Sequence, residues 1–335
     1  KGLSLPELER FQYGGLPLGQ IVLPSLRWIL RRHYLQDEEP TRFLMREYIV
    51  SAYQVAQDFT ALLDESNPQA VVVYNGMFFP EAIAKRLAES RGVRMISHEV
   101  AMLPFTAFFT PGEATAYPIR IPEEFELNAE QNTRLDATLE QRYKGNFTMA
   151  GIRFWPEMRG LDESFLQKAA QFKQIVPVFT NVIFDTSQVH ANTIFPDMFV
   201  WLGAVLKIIR NHPETLFVIR AHPDEMRPNK KSEDNVRGWA EKNKVESLPN
   251  VVFVDSTVML SSYDLIQRSK FVMVYNSSIG LEASLMGAAV LCGGKARYTQ
   301  YPTVFYPGTI AEFNAQAENF LQAKNIEVPA EFRRQ

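Results

Sequence analysis

The chain has a single cysteine, Cys292, in 335 residues. No internal disulfide can form, and with no CxxC pair the zinc-ribbon and dithiol-redox readings fall away. No apolar run approaches the roughly 18 residues that span a bilayer, and no signal-peptide pattern opens the chain. A soluble or peripheral protein of a reducing, cytoplasmic compartment is expected. A large excess of charge of either sign is also lacking, with 35 basic against 38 acidic side chains and a formal net charge of -3. That balance gives no general pull on polyanions, and no RNA- or DNA-binding motif occurs, so nucleic acid is not an expected partner. A P-loop, a GxGxxG fingerprint and an HExxH pair are absent too. ATPase, dehydrogenase and zinc-enzyme readings lack a foothold, and neither a cofactor nor a metal is expected.

What is present is a composition of 46% hydrophobic and 22% charged residues, long enough for two domains. Residues 16–35 mix apolar and basic side chains, which suits either peripheral contact with an anionic membrane surface or a helix packed on its own domain with its arginines in solvent. The second reading is the expectation. Residues 1–15 read as irregular and 41–65 as a long amphipathic helix. Residues 70–74 form the first strand, running into Asn75-Gly76; 80–91 a helix; 93–97 a strand ending in His98-Glu99. This is one βαβ unit, with both pairs at the carboxyl ends of neighbouring strands. Residues 101–122 read as an aromatic-rich loop, 128–143 as a helix, and 145–160 as the connector.

Beyond it, strands at 175–180, 216–221, 251–254, 271–275 and 289–292 alternate with helices at 196–210, 235–244, 262–268 and 279–287. Alternation of this kind argues a parallel sheet with helices on both faces. The expected fold is α/β, with two Rossmann-like doubly wound domains facing a central cleft. The first covers 1–150 and lacks the strand with which such a domain ordinarily begins; 151–174 is a linker, 175–309 the second domain, and 310–335 a closing helix and tail.

The carboxyl ends of parallel strands line the ligand crevice of such sheets, which selects the candidate residues. Asn276, Ser277 and Ser278 follow the strand at 271–275 and sit where a helix begins, offering hydroxyls and unpaired backbone N–H groups to an anion. Glu282 lies one turn further on, within reach of ribose hydroxyls. His222, in VIRAHP, leaves the strand at 216–221 and can donate to a phosphate oxygen, while Arg220 before it reads as a buried partner. Lys295 follows the last strand. Asn181, Asp185 and His190, on the loop after the strand at 175–180, are second-rank candidates, as is Asn75. Cys292 reads as core.

These residues carry a resemblance. The stretch 175–298 is similar to the C-terminal half of GT-B glycosyltransferases, most of all the capsule and surface-polysaccharide group, in which a strand ending in His-Pro precedes a Ser-Ser turn and a Gly-x-Glu-Ala helix. Here these elements are VIRAHP and NSSIGLEASLMGAAVL; the group's usual Gly-x-Pro-Val turn is Gly287-Ala288-Ala289-Val290. The resemblance implies transfer of a sugar from a CMP-, UDP- or GDP-linked donor to a surface-polysaccharide or lipid-linked glycan acceptor. It implies that His222, Asn276, Ser277, Ser278, Glu282 and Lys295 bind the nucleotide sugar. An acidic residue after the strand at 93–97 implies Glu99 as the acceptor-side base, with His98 beside it, although Val100 replaces the usual glycine. A purely structural role for Glu99, paired with Arg94 or Arg153, is the competing account. A non-hydrolysing sugar-nucleotide epimerase and a non-catalytic nucleotide- or glycan-binding module are the alternatives for the whole chain.

Overall fold

The structure, a computed structural model, describes residues 2–101, 105–143, 158–227 and 231–333. They form two compact units, one from Lys1–Arg120 with Phe184–Ser187, the other from the rest of the described chain.

In the first unit, helices α1 (Leu5–Glu9), α2 (Leu18–Leu30), α3 (Glu39–Ser66) and α4 (Phe79–Ser90) surround a core of Leu8, Leu18, Val22, Leu26, Met45, Ala52 and Ile83. Helix α1 corrects the irregular reading of the first residues: the Ser4 N–H donates to the Glu7 carboxylate at 2.8 Å, closing a short capped turn. Gly19 lets α2 cross close to it, since a Cβ there would lie 2.0 Å from the Leu8 carbonyl oxygen. The apolar side of α2 is spent on this core, and Trp28 meets Phe78 and Phe184 edge-on.

Strand β1 (Ala70–Tyr74) pairs in parallel with β2 (Arg94–Val100), from Ala70 opposite Arg94 to Tyr74 opposite His98. With α4 between them they make the expected crossover. Two details differ from the sequence reading. His98 and Glu99 belong to β2 itself, and the supposed loop contains β3 (Ala107–Thr110), antiparallel to β2 with Glu99 opposite Phe108. The parallel pairing nevertheless stops at His98, so Glu99 lies one residue beyond it.

The second unit holds α5 (Ala129–Tyr143), α6 (Glu163–Ala169), β4 (Gln174–Phe179), α7 (Gln188–Ala191), α8 (Met198–Asn211), β5 (Thr215–Arg220) and α9 (Val236–Lys242). It continues with β6 (Val251–Val254), α10 (Ser262–Gln267), β7 (Val272–Val274), α11 (Ile279–Leu285), β8 (Val290–Cys292) and α12 (Ile310–Gln322). The expected connector lies outside the described residues up to 157, as does Arg153.

The sheet is wholly parallel in the order β6-β5-β4-β7-β8, doubly wound outward from β4. Alternate side chains go to opposite faces. Val176, Val178, Phe217, Ile219, Met273 and Leu291 pack with Trp201, Val205 and Phe313 of α8 and α12. The other face sends Val272, Val274, Val290 and Cys292 against Ile266 of α10 and Ala283 of α11, while Leu216 and Val218 meet Phe165 and Leu265. Covering both faces requires strands that are apolar at nearly every position. Cys292 is fully buried and burial pushes its thiol up to about 12, as suits a core residue.

Candidate nucleotide pocket and acceptor-side carboxylate

Winding outward from β4 creates a switch point between β4 and β7, where consecutive crossovers leave in opposite directions and a crevice opens at the strands' carboxyl ends. A pocket lies there, lined among others by Thr180 after β4, Arg220 and His222 from β5, and Ser277, Ser278 and Glu282 after β7. Proline fixes the path of the β5 loop, and the Asp224 N–H donates to His222 Nδ1 at 3.2 Å. An N–H donating to Nδ1 makes that nitrogen an acceptor, so in the neutral ring the proton sits on Nε2.

Ser277 is buried and Ser278 exposed at the start of α11. Neither side chain caps the helix: Ser278 has helical backbone angles and no side-chain capping bond, which leaves both hydroxyls unspent on the helix. The turn is fixed instead from behind. Tyr298 donates its hydroxyl to the Ser277 carbonyl at 2.6 Å, and a Cβ on residue 280 would fall 2.2 Å from that hydroxyl oxygen. Gly280 is thus required by a close approach.

Glu282 lines the pocket with its carboxylate already hydrogen-bonded. Its Oε1 takes Arg142 Nη1 at 2.5 Å and its Oε2 takes the Tyr263 hydroxyl at 2.5 Å, in a largely buried setting. A carboxylate already matched by a cation and a phenol reads as a structural partner, and the ribose contact would have to compete with both. Lys295 is exposed and is not part of the pocket lining; its N–H donates to the Ala191 carbonyl at 2.9 Å.

Asn181 and Asn276 come together beside the pocket, the Asn276 N–H reaching Asn181 Oδ1 at 3.4 Å. Gln188, which the sequence did not single out, joins them by donating to Asn276 Oδ1 at 3.0 Å. His190 sits on the same short helix α7. Asp185, in the first unit, accepts from the N–H and hydroxyl of Ser187 at 3.0 and 2.9 Å, closing a turn.

In the first unit, Glu99 is half-buried and held by neutral donors: Tyr74 hydroxyl at 3.0 Å and Val100 N–H at 2.9 Å on Oε1, Asn75 Nδ2 at 2.8 Å on Oε2. Among the described residues it has no ion pair, and Arg94 is not its partner. Asn75 adopts a left-handed φ of 59° and its N–H bonds the His98 carbonyl at 2.7 Å, so the strand ends of β1 and β2 are tied. Burial and the Glu99 charge push the Tyr74 phenol up to about 12, which keeps it a hydrogen-bond donor. His98 lies between Tyr74, which it meets edge-on, and the tilted ring of Phe109, with centroids 5.4 and 5.2 Å away.

With this geometry in place, a family model described as capsule polysaccharide biosynthesis protein matches residues 130–320, more than half of the chain. The chain belongs to the capsule polysaccharide biosynthesis protein family. No curated protein sequence matches it significantly. Among solved structures, this capsule-synthesis protein is similar to the beta Kdo 2,4 transferase of Thermosulfurimonas dismutans KpsC, at 12% identity and TM-score 0.48, covering 72% of this chain and 74% of that one. The beta Kdo 2,7 transferase of the same KpsC gives 16% identity, TM-score 0.42, and 75% and 73% coverage. UDP-GlcNAc 2-epimerase from Neisseria meningitidis, bound to UDP-GlcNAc, gives 14%, 0.36, and 86% and 78%.

The family match covers the whole pocket of the second unit and stops short of Glu99. Among the described residues of this capsule-synthesis protein, no helix is long and apolar enough to cross a membrane.

Proposed function

We propose that this protein is a glycosyltransferase that moves a sugar from a nucleotide-activated donor to a surface-polysaccharide or lipid-linked glycan acceptor. The observation that carries the reading is the pocket at the β4, β5 and β7 strand ends, where His222 and the Ser277-Ser278 turn converge within the family-matched region. Hydrogen-bond donors lining one crevice suit the phosphate of a nucleoside leaving group, whose charge grows as the sugar departs. Asn276 and Asn181 stand next to it as candidates for hydroxyl-bearing parts of the donor.

Glu99 is the proposed general base. An acceptor hydroxyl must lose a proton as it attacks, and a carboxylate oriented by Tyr74 and Asn75 can take it. A glycosyltransferase of this kind releases nucleotide from its donor only when acceptor is present. Calorimetry against CMP, UDP and GDP, followed by nucleotide release with and without glycan acceptors, tests this. Acceptor-dependent release supports transfer; conversion of the donor without acceptor identifies an epimerase; binding without turnover identifies a binding module.

A further inference from the structure

We propose that Arg220 is the anion-binding cation of this pocket and grips the phosphate of the nucleotide-activated substrate; this rests on the nucleotide reading above and adds a charge to it. Sequence alone places Arg220 as an interior partner, yet among the described residues it has no acid to pair with.

Arg220 ends β5, is only 4% exposed, and lines the pocket. Among the described residues its one side-chain hydrogen bond is from Nη1 to the Val258 carbonyl, at 3.3 Å. The acids around it are engaged elsewhere. Glu282 is taken by Arg142 and Tyr263, Asp255 by Arg237 at 2.6 Å, and Glu225 by the Val236 N–H at 3.1 Å. Asp224 lies 3.5 Å from Arg227. None of the Arg220 nitrogens is among the sealed, unpartnered atoms of the interior, so its unspent donors keep some exposure, and the residue lines the pocket.

Desolvation alone acts on the group, lowering it to about 10, so it stays charged at neutral pH with nothing to balance it. An uncompensated buried charge is costly to the folded chain. A guanidinium fork matches phosphate oxygens in a two-point grip, and an arriving phosphate removes that cost while its other oxygens meet His222 and the serine hydroxyls. The backbone is set for this: Thr180 donates both its N–H, at 3.2 Å, and its hydroxyl, at 3.0 Å, to the Arg220 carbonyl.

The test compares wild type with Arg220→Met by calorimetry against CMP, UDP and GDP and against cytidine, uridine and guanosine, with melting temperature of the free protein alongside. Loss of charged hydrogen bonds predicts nucleotide binding weaker by about 10- to 100-fold, with nucleoside binding unchanged. The free variant should melt no lower than wild type, because an unbalanced charge has been removed. Unchanged nucleotide affinity, or an equal loss for nucleosides, overturns the proposal. Should Arg220→Met fail to fold, Arg220→Lys decides on the same comparison: selective loss of nucleotide affinity by about tenfold or more supports the grip, and none refutes it. If wild type binds no nucleotide, inorganic phosphate separates the two readings. An Arg220-dependent rise in melting temperature on adding phosphate keeps the anion site and removes the nucleotide; no response removes both.

Discussion

Glu99 and Glu282 are both carboxylates at strand-derived sites, and the protein surrounds them in opposite ways. Glu282 is locked between a guanidinium and a phenol, each 2.5 Å away, so its charge is consumed by the fold. Glu99 is oriented as firmly, by Tyr74, Asn75 and the Val100 N–H, but every donor among the described residues is neutral. Orientation without neutralisation is what a proton acceptor needs; neutralisation is what a structural clamp needs. A third carboxylate, Glu225, is held by a single donor: it is 1% exposed, both oxygens share the Val236 N–H, and burial pushes it up to about 8.

Glu225 gives the largest expected effect. Its carboxyl starts near 4.5 in the unfolded chain and lies near 8 in the folded one, so in that window folding takes up a proton. Stability should therefore fall as pH rises from about 4.5 to about 8, by at most roughly 1.4 kcal/mol per pH unit, and level off above. Urea unfolding across the window measures it, and Glu225→Gln should flatten the slope; an unchanged slope would place Glu225 outside the account.

Breaking the clamp comes next. Arg142→Met leaves Glu282 buried without its cation and should cost about 3–5 kcal/mol in urea unfolding, with part regained when Glu282→Met is added. Additive losses would mean that the pair is not coupled.

For Glu99→Gln, which keeps shape and removes the proton acceptor, turnover should drop by about 10²-fold while nucleotide affinity holds. Single-turnover rate and melting temperature on the same sample decide: a less stable but fully active variant would make Glu99 a second structural clamp. The smallest change is expected from Ser277→Ala with Ser278→Ala, at about 1–3 kcal/mol of nucleotide affinity by calorimetry. No loss would move the phosphate away from the turn.

The two units also differ in how much their sequences reveal. Strands buried on both faces, such as Thr215–Arg220, announce themselves as short apolar runs between polar turns, and the crevice rule then points to His222 and Ser277. Strand β3 does not, because AFFT is a four-residue edge strand whose Phe109 is 60% exposed and which only its pairing with β2 defines. Helix α1 is too brief for a period to show. Site residues follow the same logic. Glu282 could be placed on its helix, but Arg142 comes from 140 positions away and no local pattern announces the pair. Arg220 was legible as a strand end; its lack of an acid partner is a tertiary fact.

Cys292 turns this core into its own stopwatch. The chain's only thiol is sealed in β8, hydrogen-bonded toward the Tyr298 hydroxyl at 3.8 Å, which in turn moors the Ser277 carbonyl. A thiol reagent can reach it only when that corner of the sheet opens, so the labelling rate of the unmodified protein reports the opening directly. Ligand seated at the neighbouring turn should slow the clock, giving a readout of occupancy that requires no substrate turnover and no engineered probe.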